Sequence, residues 1–289
     1  MTTLFSHLRK LTKFTKNIKM KKLLLALSVL TILLCSCKNE DIVSNPDYRN
    51  TQATQDHLFA EQVFNDIGRV IEEAFLSSGV NKSCASYQLI NIDPNNTDTL
   101  VINFGVTNCL HDGKLRRGKL ITTYTGKYRD SLSVMETTFD NYYVNNNLVQ
   151  GERIATNQGR NIISKNMWFT IQINNAKIST NNGTINWNST RIREWVSGDA
   201  TYYDISDDKY KITGSANGIG VNNNSFNVEI TDTLNIDLGC LPFCVIKSGE
   251  IEVIPNGYSN RIINYGDSLC DCNFNVTINE ITYPIVVGN

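Results

Sequence analysis

The chain has 289 residues, of which 41% are hydrophobic and only 19% charged, and its formal charge is −1. Residues 1–36 contain seven basic residues and no acidic one, which leaves 20 basic against 28 acidic residues downstream, near −8. A nucleic-acid-binding surface needs a basic footprint, so that sign excludes one, while about 250 residues suffice to bury a real core.

In chain order, the first feature is an unbroken apolar or small run, Leu23–Leu34, preceded by Lys19, Lys21 and Lys22. A basic n-region followed by a short h-region is the pattern of a secretory signal. As a helix the run spans about 18 Å, too short for a hydrocarbon core of about 30 Å, so it is not a transmembrane anchor. Leu34-Cys35-Ser36-Cys37 closes the run and resembles a lipobox, which implies cleavage ahead of Cys37 and lipid on that cysteine. Residues 1–36 are therefore expected to be a lipoprotein signal peptide. Met20 opens a more usual signal, which makes residues 1–19 a candidate start-site misassignment. Next, Lys38-Asn39-Glu40-Asp41 resembles the acidic signal that exports Bacteroidetes lipoproteins to the cell surface. Residues 37–55 are polar and aperiodic, with Asn45-Pro46-Asp47, and read as a flexible tether.

A single β-rich domain is expected over 56–289, led by a helix over 56–78. Phe59, Val63, Phe64, Ile67, Val70, Ile71 and Ala74 recur at spacings of three and four, which places them on one helical face. Thr54 or Asp56 suits the N-cap, and Gly79 a left-handed terminus. The apolar stripe predicts that the helix lies against a sheet. Beyond residue 84 the period falls to two. Phe226, Val228 and Ile230 alternate with polar residues, as do Phe274, Val276 and Ile278, the pattern of antiparallel strands wet on one side. Asn145-Asn146-Asn147, Asn181-Asn182-Gly183, Asn222-Asn223-Asn224 and Asn279-Glu280 punctuate these runs where positive φ is needed. About twelve to fourteen strands joined mostly by hairpins predict a mainly β fold, a large curled antiparallel meander or sandwich with the one amphipathic helix packed on it.

Six cysteines remain beyond Cys37: Cys84, Cys109, Cys240, Cys244, Cys270 and Cys272. An even number in an exported chain points to disulfides. A hairpin turning at Asn95-Asn96-Thr97 sets Ile92 against Val101, Leu89 against Phe104, Tyr87 against Val106 and Cys84 against Cys109. Cys240 and Cys244 lie four apart, and Cys270 and Cys272 two apart. A four-cysteine zinc site is the alternative, but zinc ligand pairs are usually separated by two to four residues. Disulfides between the two pairs are favoured, and which of Cys240 and Cys244 joins Cys270 stays open.

Several segments resemble a group of uncharacterised outer-membrane and surface lipoproteins of the Bacteroidetes. They are 108–119, Phe139-Asp140-Asn141-Tyr142-Tyr143-Val144-Asn145, Gly151-Glu152-Arg153, Asn186-Trp187-Asn188-Ser189-Thr190-Arg191 and 265–271. Ser268 and Cys272 depart from the pattern, where Gly and Asn are expected. The resemblance covers most of the chain from Cys84 onward and implies the address and a β-rich fold, without an activity.

No H-E-x-x-H, G-x-S-x-G or P-loop is present, and no cofactor motif. His111-Asp112 reads as a surface turn, and 214–220 as a strand with bulges. Asp204, Asp207 and Asp208 cluster in a loop, as do Asp267 and Asp271, the latter two being weak calcium candidates. Trp168, Trp187 and Trp195 would stack on sugars if they faced outward, but read first as core. No catalytic residue is assigned. The expected function is a surface-exposed structural or binding module of the outer membrane, held by lipid on Cys37, with a glycan or a protein as ligand. The alternatives are a hydrolase with two carboxylates flanking a sugar and an envelope lipid carrier or chaperone with a deep apolar cavity.

Overall fold

Gln52–Leu76 runs 25 residues without a proline and forms the helix α1. It belongs to a computed structural model that describes residues 51–76, 84–91, 97–201, 204–241, 244–267, 269–271 and 273–286. The expected signal segment 1–36, Cys37, the expected tether up to residue 50, Gly79 and Cys272 lie outside the described residues. The helix begins earlier than the apolar period places it, so Thr54 and Asp56 sit inside it rather than at its cap. Asp56 accepts the backbone N–H of Val221 at 2.9 Å, tying the start of α1 to the turn between Ile219 and Ser225. No helix among the described residues is long and apolar enough to cross a membrane.

Fourteen antiparallel strands follow: β1 (Ser86–Asn91), β2 (Asp98–Asn103), β3 (Cys109–His111), β4 (Lys114–Tyr124), β5 (Val134–Val144), β6 (Asn147–Arg160) and β7 (Met167–Thr180), then β8 (Gly183–Ser197), β9 (Lys209–Ile219), β10 (Ser225–Asp237), β11 (Ile246–Pro255), β12 (Arg261–Asp267), β13 (Asn273–Ile278) and β14 (Ile281–Val286). They form one sheet in which each strand pairs with its neighbour in the chain, except that β2 and β3 both pair with β4. This is the expected meander. Its turns are those the asparagines announce: Asn145-Asn146 and Asn279-Glu280 have positive φ at both central residues, the backbone that matches strand twist in a two-residue hairpin. Asp112-Gly113 makes the same turn between β3 and β4.

The register of β1 against β2 differs from the expectation. Leu89 faces Leu100 rather than Phe104, and Tyr87 faces Ile102 rather than Val106. Cys84 and Cys109 are nevertheless bonded. The chain leaves β2 at Phe104, bends through Gly105 (φ 79°) and returns as β3 beside β4, which brings Cys109 back to Cys84. Alternation alone cannot detect this slip, because an even shift keeps the same side chains on the same face.

Bulges curl the sheet. Pairing is interrupted between Arg117 and Lys119, between Gln150 and Glu152, and between Ile173 and Ala176. Gly118 (φ 84°) and Gly151 (φ 111°) occupy two of these points. A side chain at Gly118 would strike the backbone carbonyl of Asn141, and one at Gly151 would meet Ala176 Cα at 2.7 Å. Each bulge adds local twist and bend, and together they wrap the sheet around α1. Phe64 meets Phe139 of β5 and Trp187 of β8, Phe75 meets Tyr124 of β4, and His57 meets Phe226 of β10. Only Gln55, Gln62, Asn65 and Arg69 of α1 are exposed. The helix is thus a plug in the concave face rather than a cover on it. Fully burying a large apolar side chain contributes about 1.5–3 kcal/mol, and Ile67, Ile71, Leu100, Ile102, Leu120, Phe169 and Trp187 all qualify. Met167, Phe169, Trp195 and Tyr210 form a second, smaller cluster.

Candidate functional site

Inside the curl, polar positions of α1 meet arginines on inward positions of the sheet. Asp66 takes a two-pronged bond from Arg116 of β4, at 2.7 and 3.0 Å. Glu61 accepts Arg191 of β8 at 2.8 Å, and Glu72 faces Arg193 at 3.5 Å. Burial pushes the Asp66 carboxyl up, but Arg116 and then Lys114 outweigh it and hold the pKa down to about 2. Arg153 of β6 stretches across Gly68, where any side chain would meet its Nη2 at 2.7 Å. These groups are complementary to each other and fix the helix.

The outer face of β8–β11 offers something different. Pairing aligns Asn188, Asn217, Asn227 and Ile254 on successive strands. The next row aligns Asn186, Ile219 and Ser225. Between them, on the inward side, Trp187 and Phe226 fill the core under Gly218, whose missing side chain leaves room for the Phe226 ring 2.7 Å away. The turn after β11, Pro255-Asn256-Gly257, forms the remaining wall of a groove of about 590 Å³. No charged residue lines it among the described residues. Asn188 is partly committed, accepting the Asn175 backbone N–H at 2.8 Å and donating to Asn217 at 3.5 Å.

An amide side chain presents two N–H donors beside a carbonyl acceptor, and neighbouring strands hold such groups about 4.8 Å apart. The groove is therefore a row of neutral donor–acceptor pairs, with Ile219, Ile254 and Pro255 as apolar contacts. No known protein family, curated protein or solved structure matches this chain.

The side chains singled out from the sequence fall elsewhere. Trp187 and Trp195 are buried, and Trp168 is half-buried on β7, so no tryptophan lines the groove. Asp208 is buried and accepts Trp195 Nε1–H at 3.1 Å and Tyr210 Oη–H at 3.0 Å. Asp207 accepts Thr201 at 2.6 Å, and Asp204 is exposed and bonded to Ser206. Asp267 is exposed at the end of β12, and Asp271 accepts the Asn273 amide at 2.9 Å. Cys240 is bonded to Cys270, which settles the open choice and removes the four-cysteine zinc site. Cys244 is disulfide-bonded as well.

His111 corrects the reading of a surface turn. The residue is 4% exposed and its ring packs edge-on to Phe104 at 5.5 Å, while Asp112 occupies the exposed turn position. The residue belongs to β3, whose inward face His111 shares with Cys109, so burial follows from strand alternation once the β3–β4 hairpin is recognised. The groove asparagines were missed for another reason. Asn186, Asn188, Asn217 and Asn227 are each an unremarkable wet-face residue in their own strand, and the pairing of β8 with β9 and of β9 with β10 assembles them.

Proposed function

We propose that this chain is a lipid-anchored outer-membrane lipoprotein of the cell surface that binds a neutral glycan in the β8–β11 groove. The lipobox at Cys37 and the acidic segment behind it support the address. The row of uncharged amides carries the binding reading. Where residues 37–289 carry a charge near −8, a groove with no charged residue among the described ones that line it suits a neutral polyhydroxylated ligand better than an ion, since vicinal hydroxyls match amide donor–acceptor pairs and the ring's C–H face suits Ile219 and Ile254. A hydrolase would need two carboxylates in the cleft, and none lines it. A lipid carrier would need an apolar cavity, and α1 occupies the concave side where it would lie.

A panel of neutral oligosaccharides tested by calorimetry against wild type and Asn217→Ala/Asn227→Ala checks the reading. Two lost side-chain hydrogen-bonding groups, at about 0.5–1.5 kcal/mol each, should weaken binding by about tenfold or more. Thermal stability should stay within about 0.5 kcal/mol, because both positions are exposed. Equal affinity in both proteins, or no neutral glycan bound at all, contradicts the proposal.

A further inference from the structure

The geometry points to a second site, for a divalent transition-metal ion of the zinc type, where the last turn of α1 meets the β3–β4 turn. Glu73, His111 and Asp112 each offer one ligand atom, and these atoms all lie within 4.8 Å of one another. His111 Nε2 is 3.4 Å from Asp112 Oδ2 and 3.8 Å from Glu73 Oε2. The imidazole side chain is 3% exposed, and among the described residues its Nε2 has no hydrogen-bond partner. A buried ring nitrogen left unsatisfied costs about 1–3 kcal/mol, and here it is aimed between two carboxylates.

The donor set identifies the ion. One imidazole and two carboxylates suit zinc and its neighbours, whereas calcium takes six to eight oxygen ligands. Tetrahedral bonds of about 2.0–2.1 Å place ligand atoms roughly 3.3 Å apart, close to the His111–Asp112 separation of 3.4 Å. Water would complete the fourth position. The helix C-terminus adds favourable partial negative charge, as Glu73 stands near the end of α1 at Leu76.

Arg69 is the competitor. Its Nη1 donates to Asp112 at 2.8 Å and stands 3.6 Å from Glu73, and its side chain is 46% exposed. Its Nη1 arm covers the point where the ion would sit, while Nη2 donates to Asp66 at 3.1 Å, so the ion has to displace the Nη1 arm alone. Metal binding therefore exchanges one cation for another, and it clamps α1 to a turn whose base is already held by the Cys84–Cys109 bond.

The test is zinc titration of the lipidated chain in detergent, after treatment with a chelator, followed by calorimetry and thermal melting. Wild type should bind one ion per chain with a raised Tm. Asp112→Asn, whose positive φ of 47° asparagine adopts readily, should fold normally and lose about tenfold or more in affinity. Arg69→Ala should bind more tightly than wild type, because the competing cation is gone. A merely structural charge cluster would bind no zinc. Absence of binding, binding unchanged in Asp112→Asn, or weaker binding in Arg69→Ala overturns the assignment.

Discussion

Asp66→Ala is expected to lower the unfolding free energy by about 3–5 kcal/mol, the loss found when one partner of a buried ion pair is removed. The substitution strands Arg116, which is 0% exposed and has its remaining side-chain hydrogen bond to Tyr142 Oη at 2.8 Å. It also frees Lys114, whose Nζ lies 3.0 Å from the same carboxylate. Chemical denaturation measures the effect. A double variant, Asp66→Ala/Arg116→Met, should recover much of the loss, because an apolar side chain of similar length replaces the uncompensated charge. A loss below about 1 kcal/mol for the single variant, the range of exposed pairs, would contradict the picture of α1 as an ion-paired plug.

Acid should act through His57. Trp187 Nε1–H donates to His57 Nδ1 at 3.3 Å, so the ring is held neutral with Nδ1 as acceptor. Burial pushes its pKa down to about 4, with the Arg191 charge adding to that and Glu61 opposing it. Between pH 6.5 and 4 the unfolded chain binds a proton that the folded chain refuses, so stability falls as pH falls, by up to about 3 kcal/mol. Asp208 works in the other direction. Burial raises its pKa to about 6 against the hydrogen bonds of Tyr210 and Trp195, so the folded state takes up a proton first and stability rises on acidification over pH 6 to 4. The two nearly cancel in wild type. His57→Asn, whose amide oxygen can still accept from Trp187, removes the first contribution and leaves the second. Its stability relative to wild type should therefore improve by about 2–3 kcal/mol between pH 7 and pH 4.5. A constant difference across that range would show that His57 titrates normally in the fold.

Much of the architecture was legible because β-strands write their burial with period two and asparagine marks the positive-φ turns. Phe226, Val228, Ile251 and Val253 are buried as their alternation requires. The stripe of α1 was equally clear, with Val63, Phe64, Ile67, Val70, Ile71 and Ala74 all in the core. Its polar side was not. Asp66 and Glu61 look like solvated helix positions until Arg116 and Arg191 are seen to fall on inward positions of their strands, in phase with Trp187 and Leu120. Inward arginines on curled strands were the available signal that the sheet encloses the helix. The hairpin bearing Cys84 was placed with the correct bond and the wrong register, since the interruption at Gly105 has no trace in the alternation. The metal-type cluster joins Glu73 to residues nearly forty positions later, and that proximity comes only from the way the disulfide and the Asp112-Gly113 turn return the chain to the end of α1.

We propose that this domain stands outside the cell, held by lipid on Cys37, with its amide groove open to external glycans. Protease treatment of intact cells of the native bacterium tests that most directly, with a Cys37→Ala strain beside wild type. Digestion of the wild-type protein without lysis, and loss of the surface-held protein in the Cys37→Ala strain, is the predicted result. Protection of the wild-type protein until the outer membrane is opened would contradict the surface assignment and turn the search toward ligands inside the envelope.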